Sequence, residues 1–471
     1  MADTSNSGAM QTRRESDSMG PVEIPAGSYW GAQTQRAVEN FSVSPLRIPN
    51  TMLRAVALVK KHAALTNGTL GTVDTKLTEA IVRAADEVLA GKMDDQFPVD
   101  VFQTGSGTSW NMNFNEVLAN RANEILGSPL GQRSPVHPND HVNRGQSSND
   151  VIPTAVHISD RMGAEALVGA LDRLAGAFEK KGKEFAKVVK LGRTHLQDAV
   201  PMTLGDEFDA YAVQIRKAIK RIRSVFPNLE ELALGGTAVG TGLNAHPDFG
   251  RLTIEGIAKE TGFPFVPAES RFELIAARDA QVELMGALNT LAGSLMKIAN
   301  DLRLLAGGPR GGLGEIILPT LQPGSSIMPG KVNPVIPEMI IQVAAHVHGK
   351  AVAVTFGGQN GPLELNMMNP LIVYETASAM ELLANSAIAF ADRCISGIEA
   401  DADRMRYWLD WSLALVTPLA TEIGYDQAAK LAYTAYRQKR QIREVVLESG
   451  VLPESRLDEL LDPTKMLGPR A

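Results

Sequence analysis

The sequence predicts a mainly α-helical protein organised around a long helical bundle. Three observations carry this. Apolar residues recur at steps of three and four through much of the 471-residue chain, which is the period of a helix and not of a strand. Several of these segments extend to about 30 residues, roughly 45 Å of helix at 1.5 Å per residue, so they belong in an elongated bundle. They are also rich in alanine on more than one face, and a helix apolar beyond one stripe needs more than one neighbour. The bundle is therefore expected to be completed by other copies of the chain.

The elements follow in order. The segment from Met1 to about Met19 is polar and Ser-rich and lacks the apolar centre of a secretory signal. Residues 1 to about 12 are expected to form a flexible tail. An N-terminal domain spans 1–147, a central helical domain 148–402 and a small C-terminal domain 403–471. The central stripes are Leu167, Leu171, Leu174, Phe178, Phe185 and Val188, then Ile215, Ile219, Ile222 and Phe226. The longest runs Val282, Met285, Leu288, Leu291, Leu295, Ile298, Leu302 and Leu305. Two more follow: Met339, Val343, Val347, Ala351 and Val354, then Ala377, Met380, Leu383, Ala387, Phe390, Cys394 and Ile398.

Composition narrows the function classes. Hydrophobic residues make up 44% and charged residues 21% of the chain, as in ordinary soluble domains. There are 46 basic and 53 acidic residues, a net charge of -7, with no basic run. That balance disfavours nucleic acid and anionic membrane surfaces as partners. The single cysteine, Cys394, allows no intrachain disulfide and no Cys-based metal site. No HExxH pair occurs, and His346 and His348 are two apart, so a metal site is not expected. No apolar run reaches the roughly 18 residues of a membrane span. A soluble cytoplasmic protein is expected.

Between the periodic segments lie Gly-, Ser-, Asn- and Pro-rich stretches at 104–116, 136–150, 192–207, 235–249 and 321–339. Long aperiodic loops in a helical protein often carry function. Gln146-Ser147-Ser148-Asn149-Asp150 precedes a helix expected from near Val151, and Thr104-Gly105-Ser106-Gly107-Thr108-Ser109 precedes one from about Asn111. Ser, Asn and Asp are helix caps. The same hydroxyls beside the free N–H groups of a helix N-terminus make a carboxylate site. Two such cradles suit a dicarboxylate. His195, beside Thr194, Gln197 and Asp198 in a polar loop, suits a general base, because imidazole titrates near neutral pH. In Gly324-Ser325-Ser326-Ile327-Met328-Pro329-Gly330-Lys331-Val332-Asn333-Pro334 the glycines can hinge a lid, Lys331 supplies a positive charge and Asn333 an amide. Neither glycine cluster satisfies a nucleotide-binding pattern: the first lacks a third glycine, and the second has Val332 where a phosphate loop needs Ser or Thr.

The GSSIMPGKVNP stretch, with GSGTSWNMN, HPNDHVN, QSSND, GRTHLQDA and GTAVGTGLN, resembles the fumarase/aspartase superfamily and, within it, the class II fumarase family. The resemblance extends from about residue 13 through essentially the whole chain. It implies a three-domain, mainly α-helical homotetramer whose central bundle is built from four chains and whose active sites each draw on three. The expected reaction is fumarate hydratase activity, the reversible hydration of fumarate to (S)-malate through an aci-carboxylate, with no cofactor. Aspartate ammonia-lyases look similar but typically have Gln in place of His195 and Ala in place of Gly330. An ammonia-lyase and a non-catalytic relative are the competing readings.

Residue roles follow from the same resemblance. Ser325 takes the carbon-bound proton, which an isolated serine is too weak a base to do. His195 handles the hydroxyl side, with Glu338 orienting it. Lys331 and Asn333 stabilise the dianionic intermediate. Ser106, Gly107, Thr108, Ser147, Ser148, Asn149, Thr194, Ser326 and Val332 bind substrate. The turn His137-Pro138-Asn139-Asp140 resembles a second dicarboxylate site, although an ordinary turn fits it as well.

Overall fold

A computed structural model describes residues 11–468. Among them are seventeen α-helices and eight short strands joined only in pairs, so the fold is mainly α as expected. The expected tail lies largely outside the described residues. Its end does not behave as a tail, because Thr12–Asp17 pairs antiparallel with Gly20–Pro25. Arg13 explains the order: its guanidinium donates to the carbonyls of Ala26 at 3.0 Å and Trp30 at 2.8 Å and to Glu15 at 2.7 Å.

The chain divides into two compact units. The first comprises the chain up to Leu167, Arg221–Asn289 and His346–Leu382. Its core gathers around the helix Asn50–Thr69, which packs against Thr75–Leu89 and Phe249–Thr261. Met52, Val56, Val59, Ile81, Val88, Trp110, Phe114 and Ile257 are buried there. Asp74 caps Thr75–Leu89 by accepting from the Lys76 amide at 2.9 Å, so that helix starts where its apolar face does.

The second unit comprises Val168–Lys220, Thr290–Ala345 and the chain from Leu383 onward. Phe178 meets Phe390 edge-on at 6.1 Å, and Phe185 meets Phe208 at 5.3 Å. The C-terminal helices close on a separate core of Leu415, Leu419, Ile442, Val446 and Leu457. All the unit boundaries fall inside the long helices Ser148–Glu184, Leu204–Ser224, Asp279–Leu305, Val335–Gly358 and Asn369–Arg393. The sequence boundary at 147 falls instead at the start of Ser148–Glu184.

Three helical stripes overran their helices. Phe185 and Val188 follow the end of Ser148–Glu184, Phe226 follows the end of Leu204–Ser224, and Cys394 and Ile398 follow the end of Asn369–Arg393. Phe185, Cys394 and Ile398 are buried all the same, so periodicity reported burial beyond the helix itself. The helix Val335–Gly358 departs from expectation in another way. By length and composition it is apolar enough to cross a membrane, with a mean hydropathy of 1.3 over its most apolar window. Glu338 and Lys350 interrupt the run in the sequence, which hid its apolar character. One stripe, Ile340, Ala344, Val347 and Val354, is buried, while Val352 and Phe356 are 57% and 61% exposed.

Candidate active site

The two predicted carboxylate cradles form a single feature of the first unit. The helices Thr108–Ile125 and Ser148–Glu184 begin three residues earlier than expected, on the hydroxyl residues themselves. Ser106 Oγ lies 2.7 Å from Thr108 Oγ1, which lies 2.8 Å from Ser148 Oγ. The hydroxyls of the two loops thus form one chain between two helix N-termini, where the helix dipole favours an anion. Ser147 Oγ accepts from the Asn149 amide at 3.2 Å, and Asn149 Nδ2 donates to Ala238 O at 2.8 Å. Gly107 caps the first helix with φ of 76°. Gly105 permits a close approach, since a Cβ there would sit 1.8 Å from Met367 O.

The cradle is braced by buried charge that the sequence reading missed. Asp150 is fully buried. It accepts from the amides of Ser147, Gly235 and Thr237, each at 2.9 Å. Burial pushes its pKa up to about 6 despite these bonds. Lys60, also fully buried, donates to Asn143 Oδ1 and Gln146 Oε1, each at 2.9 Å. Arg278, buried and held near a pKa of about 10 by desolvation, donates to Asn369 Oδ1 at 2.6 Å. Asn369 N in turn donates to Gly105 O at 3.0 Å. The available signal was a charge inside an apolar run, as with Lys60 in Ala55-Val56-Ala57-Leu58-Val59-Lys60.

The His137–Asp140 segment forms a tight turn that runs into the wide helical turn Pro138–Val142. His137 Nδ1 accepts from the amides of Asn139 at 3.3 Å and Asp140 at 3.2 Å. The turn borders a cavity of about 310 Å³ that Arg144, Gln146, Ser147 and Asn244 also line. Of the second-site residues, Asn139 and Asp140 therefore open onto the same space as the Ser147 turn.

In the second unit, Val189–Thr194 and Gln197–Thr203 form a hairpin whose two-residue tip is His195-Leu196. Both tip residues have left-handed φ, 55° and 58°. A two-residue hairpin of this kind favours Asn-Gly, so holding His and Leu there stores strain at the tip. His195 and Thr194 are exposed. The hairpin base is anchored by charge. Glu315 is fully buried and meets Arg193 at 2.7 Å and Lys190 at 3.3 Å, while Lys190 also meets Glu207 at 2.8 Å. Glu315 leads directly into the strand Ile316–Ile317 and the loop beyond. It ties the histidine hairpin to the segment entering the signature loop, and it too was missed.

The signature loop closes on itself. Gly324 N donates to Lys331 O at 2.9 Å, and Asn333 Nδ2 donates to Gly324 O at 2.8 Å. A Cβ on Gly324 would lie 2.4 Å from Lys331 O, so only glycine permits this closure. Ser325 Oγ accepts from two backbone amides, Ile327 at 3.2 Å and Met328 at 3.1 Å. Ser326, Lys331 and Val332 are exposed, and Ile327 is 83% exposed. Asn333 spends one amide hydrogen on the loop. Glu338 lies in the first turn of Val335–Gly358. Among the described residues of the single chain, no hydrogen bond or ion pair joins His195 to Ser325, Lys331 or Glu338. No group of three or more His, Cys, Asp or Glu side chains is placed to hold a metal ion among the described residues.

Comparison with known proteins gives a consistent result. The family model described as lyase matches residues 20–349, and the one described as fumarase C C-terminus matches 415–468. A class II fumarate hydratase of Methylorubrum extorquens is 50% identical over 464 residues, 98% of each chain. The mitochondrial fumarate hydratase of Homo sapiens is 49% identical, covering 97% of this chain and 90% of that one. A solved class II fumarase from Schistosoma mansoni superposes with a TM-score of 0.94 at 40% identity, covering 98% of this chain and all of that one.

Proposed function

The chain belongs to the lyase family and, within it, to the class II fumarate hydratases, and we propose that it interconverts fumarate and (S)-malate by acid–base catalysis divided between Ser325 and His195. The observation that carries the assignment of Ser325 is its pair of amide donors. In the dehydration direction Ser325, as alkoxide, takes the proton from the carbon next to one carboxylate. A serine oxygen is a competent base only if its negative form is stabilised, and the Ile327 and Met328 amides already point at it. The electron pair left on carbon delocalises into the neighbouring carboxylate as an aci-carboxylate. Lys331 supplies positive charge to that dianion, with donors from Asn333, Ser326, Thr194 and Val332 N. His195 then delivers a proton to the hydroxyl on the adjacent carbon, which leaves as water as the double bond forms. Glu338 orients the imidazole. In hydration the same histidine activates the water. No cofactor enters the scheme, since no redox or group-transfer step occurs.

The remaining carboxylate is held by Ser106, Gly107, Thr108, Ser147, Ser148 and Asn149, whose hydroxyls and amides form the cradle. His137, Pro138, Asn139 and Asp140 form an outer dicarboxylate site, of which Asn139 and Asp140 line the cavity shared with Ser147. The working form is a homotetramer with each active site drawn from three chains. The exposed apolar face of Val335–Gly358 supports this, as does the absence of any bond between His195 and Glu338 within one chain. The domains are those of the sequence reading, divided at 147 and 402.

Ultraviolet absorbance of the fumarate double bond tests the reaction. A rise with L-malate and none with L-aspartate, without added metal or nucleotide, is the expected result. A rise with aspartate alone would place the chain among the ammonia-lyases.

A further inference from the structure

The turn that carries Ser147, Ser148 and Asn149 is slung between two buried charges of opposite sign. On its N-terminal side Gln146 is held by Lys60, whose ammonium also binds Asn143. Asn143 closes back on the turn, its Nδ2 donating to Gln146 O at 3.3 Å. Gln146 uses its own amide on Val142 O at 3.0 Å. On the other side Asp150 takes the Ser147 amide and clamps Gly235 and Thr237. Lys60 reaches this place from a different element, the helix Asn50–Thr69, where it is 0% exposed within an apolar core. A lysine there is costly to charge, and burial lowers its pKa to about 7 while the charge of Asp150 opposes the shift. A core position gains nothing in packing from an ammonium that a methionine would not supply. The lysine instead provides directed donors that fix two amide side chains, and a positive charge beneath a site that must attract a dianion to a chain of net charge -7.

We propose that Lys60 is a positioning residue of the carboxylate cradle: through Asn143 and Gln146 its buried ammonium holds the Ser147–Asn149 turn in the conformation that binds the substrate carboxylate. The inference rests on the reading of that turn as part of the dicarboxylate site. It predicts an effect on substrate capture and not on proton transfer, which belongs to Ser325 and His195.

The test uses the full-length enzyme with L-malate. Lys60→Met keeps the volume of the stem and removes the donors and the charge. It is expected to raise KM at least about tenfold while kcat stays within about threefold. A folded Lys60→Met enzyme with unchanged KM overturns the proposal, as does one whose kcat falls while KM holds. Asn143→Ala and Gln146→Leu, at half-buried positions, decide the matter if Lys60→Met does not fold. A rise in KM in both supports the relay, and unchanged values overturn it. Ser148→Ala separates the two layers of the argument. If it raises KM and Lys60→Met does not, the cradle stands and the role of Lys60 falls. If Ser148→Ala leaves KM unchanged, the cradle is misread and the inference falls with it.

Discussion

The strain at His195 and the solvation of Ser325 are properties of single residues, and they make the two assignments separable from folding. His195 occupies left-handed backbone at an exposed hairpin tip. Asparagine tolerates that conformation better than most residues, so His195→Asn removes the imidazole without adding strain. Ser325 Oγ receives two local amides in a loop that is otherwise closed by Gly324, Lys331 and Asn333. Ser325→Ala therefore leaves the loop closure in place. Each substitution is expected to lower kcat at least about a hundredfold, with circular dichroism and the thermal transition close to those of the parent. Collapse of the thermal transition in both variants would show that these residues hold the fold and do not perform the chemistry.

At the scale of elements, the helix Ser148–Glu184 shows what the sequence could and could not reveal. Its apolar stripe was readable, as were the capping residues at its start, because helical period and cap chemistry are local signals. The joining of Ser148 to Thr108 and Ser106 was not, since a hydroxyl chain between residues 40 apart depends on tertiary packing. Buried charge was equally hidden. His157 and Asp160 both lie on this helix, fully buried. Desolvation lowers the His157 pKa to about 3 and raises that of Asp160 to about 7. The two act oppositely on stability. The folded state binds more protons at Asp160 than the unfolded state, whose carboxyl titrates near 3.9. That contribution is complete below about pH 4 and is lost as pH rises through about 7. His157 destabilises the fold as pH falls below about 6.5, where the unfolded histidine protonates and the buried one does not. Asp160→Asn isolates the first effect, because Asn keeps an acceptor for the Thr376 hydroxyl, now 2.7 Å away, and cannot ionise. Its melting temperature should gain on the parent by at least about 2 °C between pH 5 and pH 8. A difference that stays constant across that range would show that Asp160 does not titrate in the fold.

For the whole molecule the decisive feature is a helix that its own chain leaves half uncovered. Val335–Gly358 carries Glu338 at one end and an apolar surface along its length, of which one chain buries the Ile340, Ala344, Val347 and Val354 stripe and leaves Val352 and Phe356 open. Water-exposed Val352 and Phe356 are costly to maintain in a free monomer. The same helix presents Glu338, assigned to orient a histidine that it does not meet within the chain. Assembly answers both facts at once if neighbouring copies cover the apolar face and the catalytic groups meet across chains. Phe356→Glu tests this coupling. The side chain is 61% exposed in the single chain, so the substitution leaves the chain's own core intact, yet it places a charge where copies would pack. The variant is expected to sediment as a smaller species than the parent, retain its helical content and lose at least about a hundredfold in kcat. A fully active monomer would show that one chain completes the site. A variant that sediments like the parent would show that Phe356 lies outside any contact between copies.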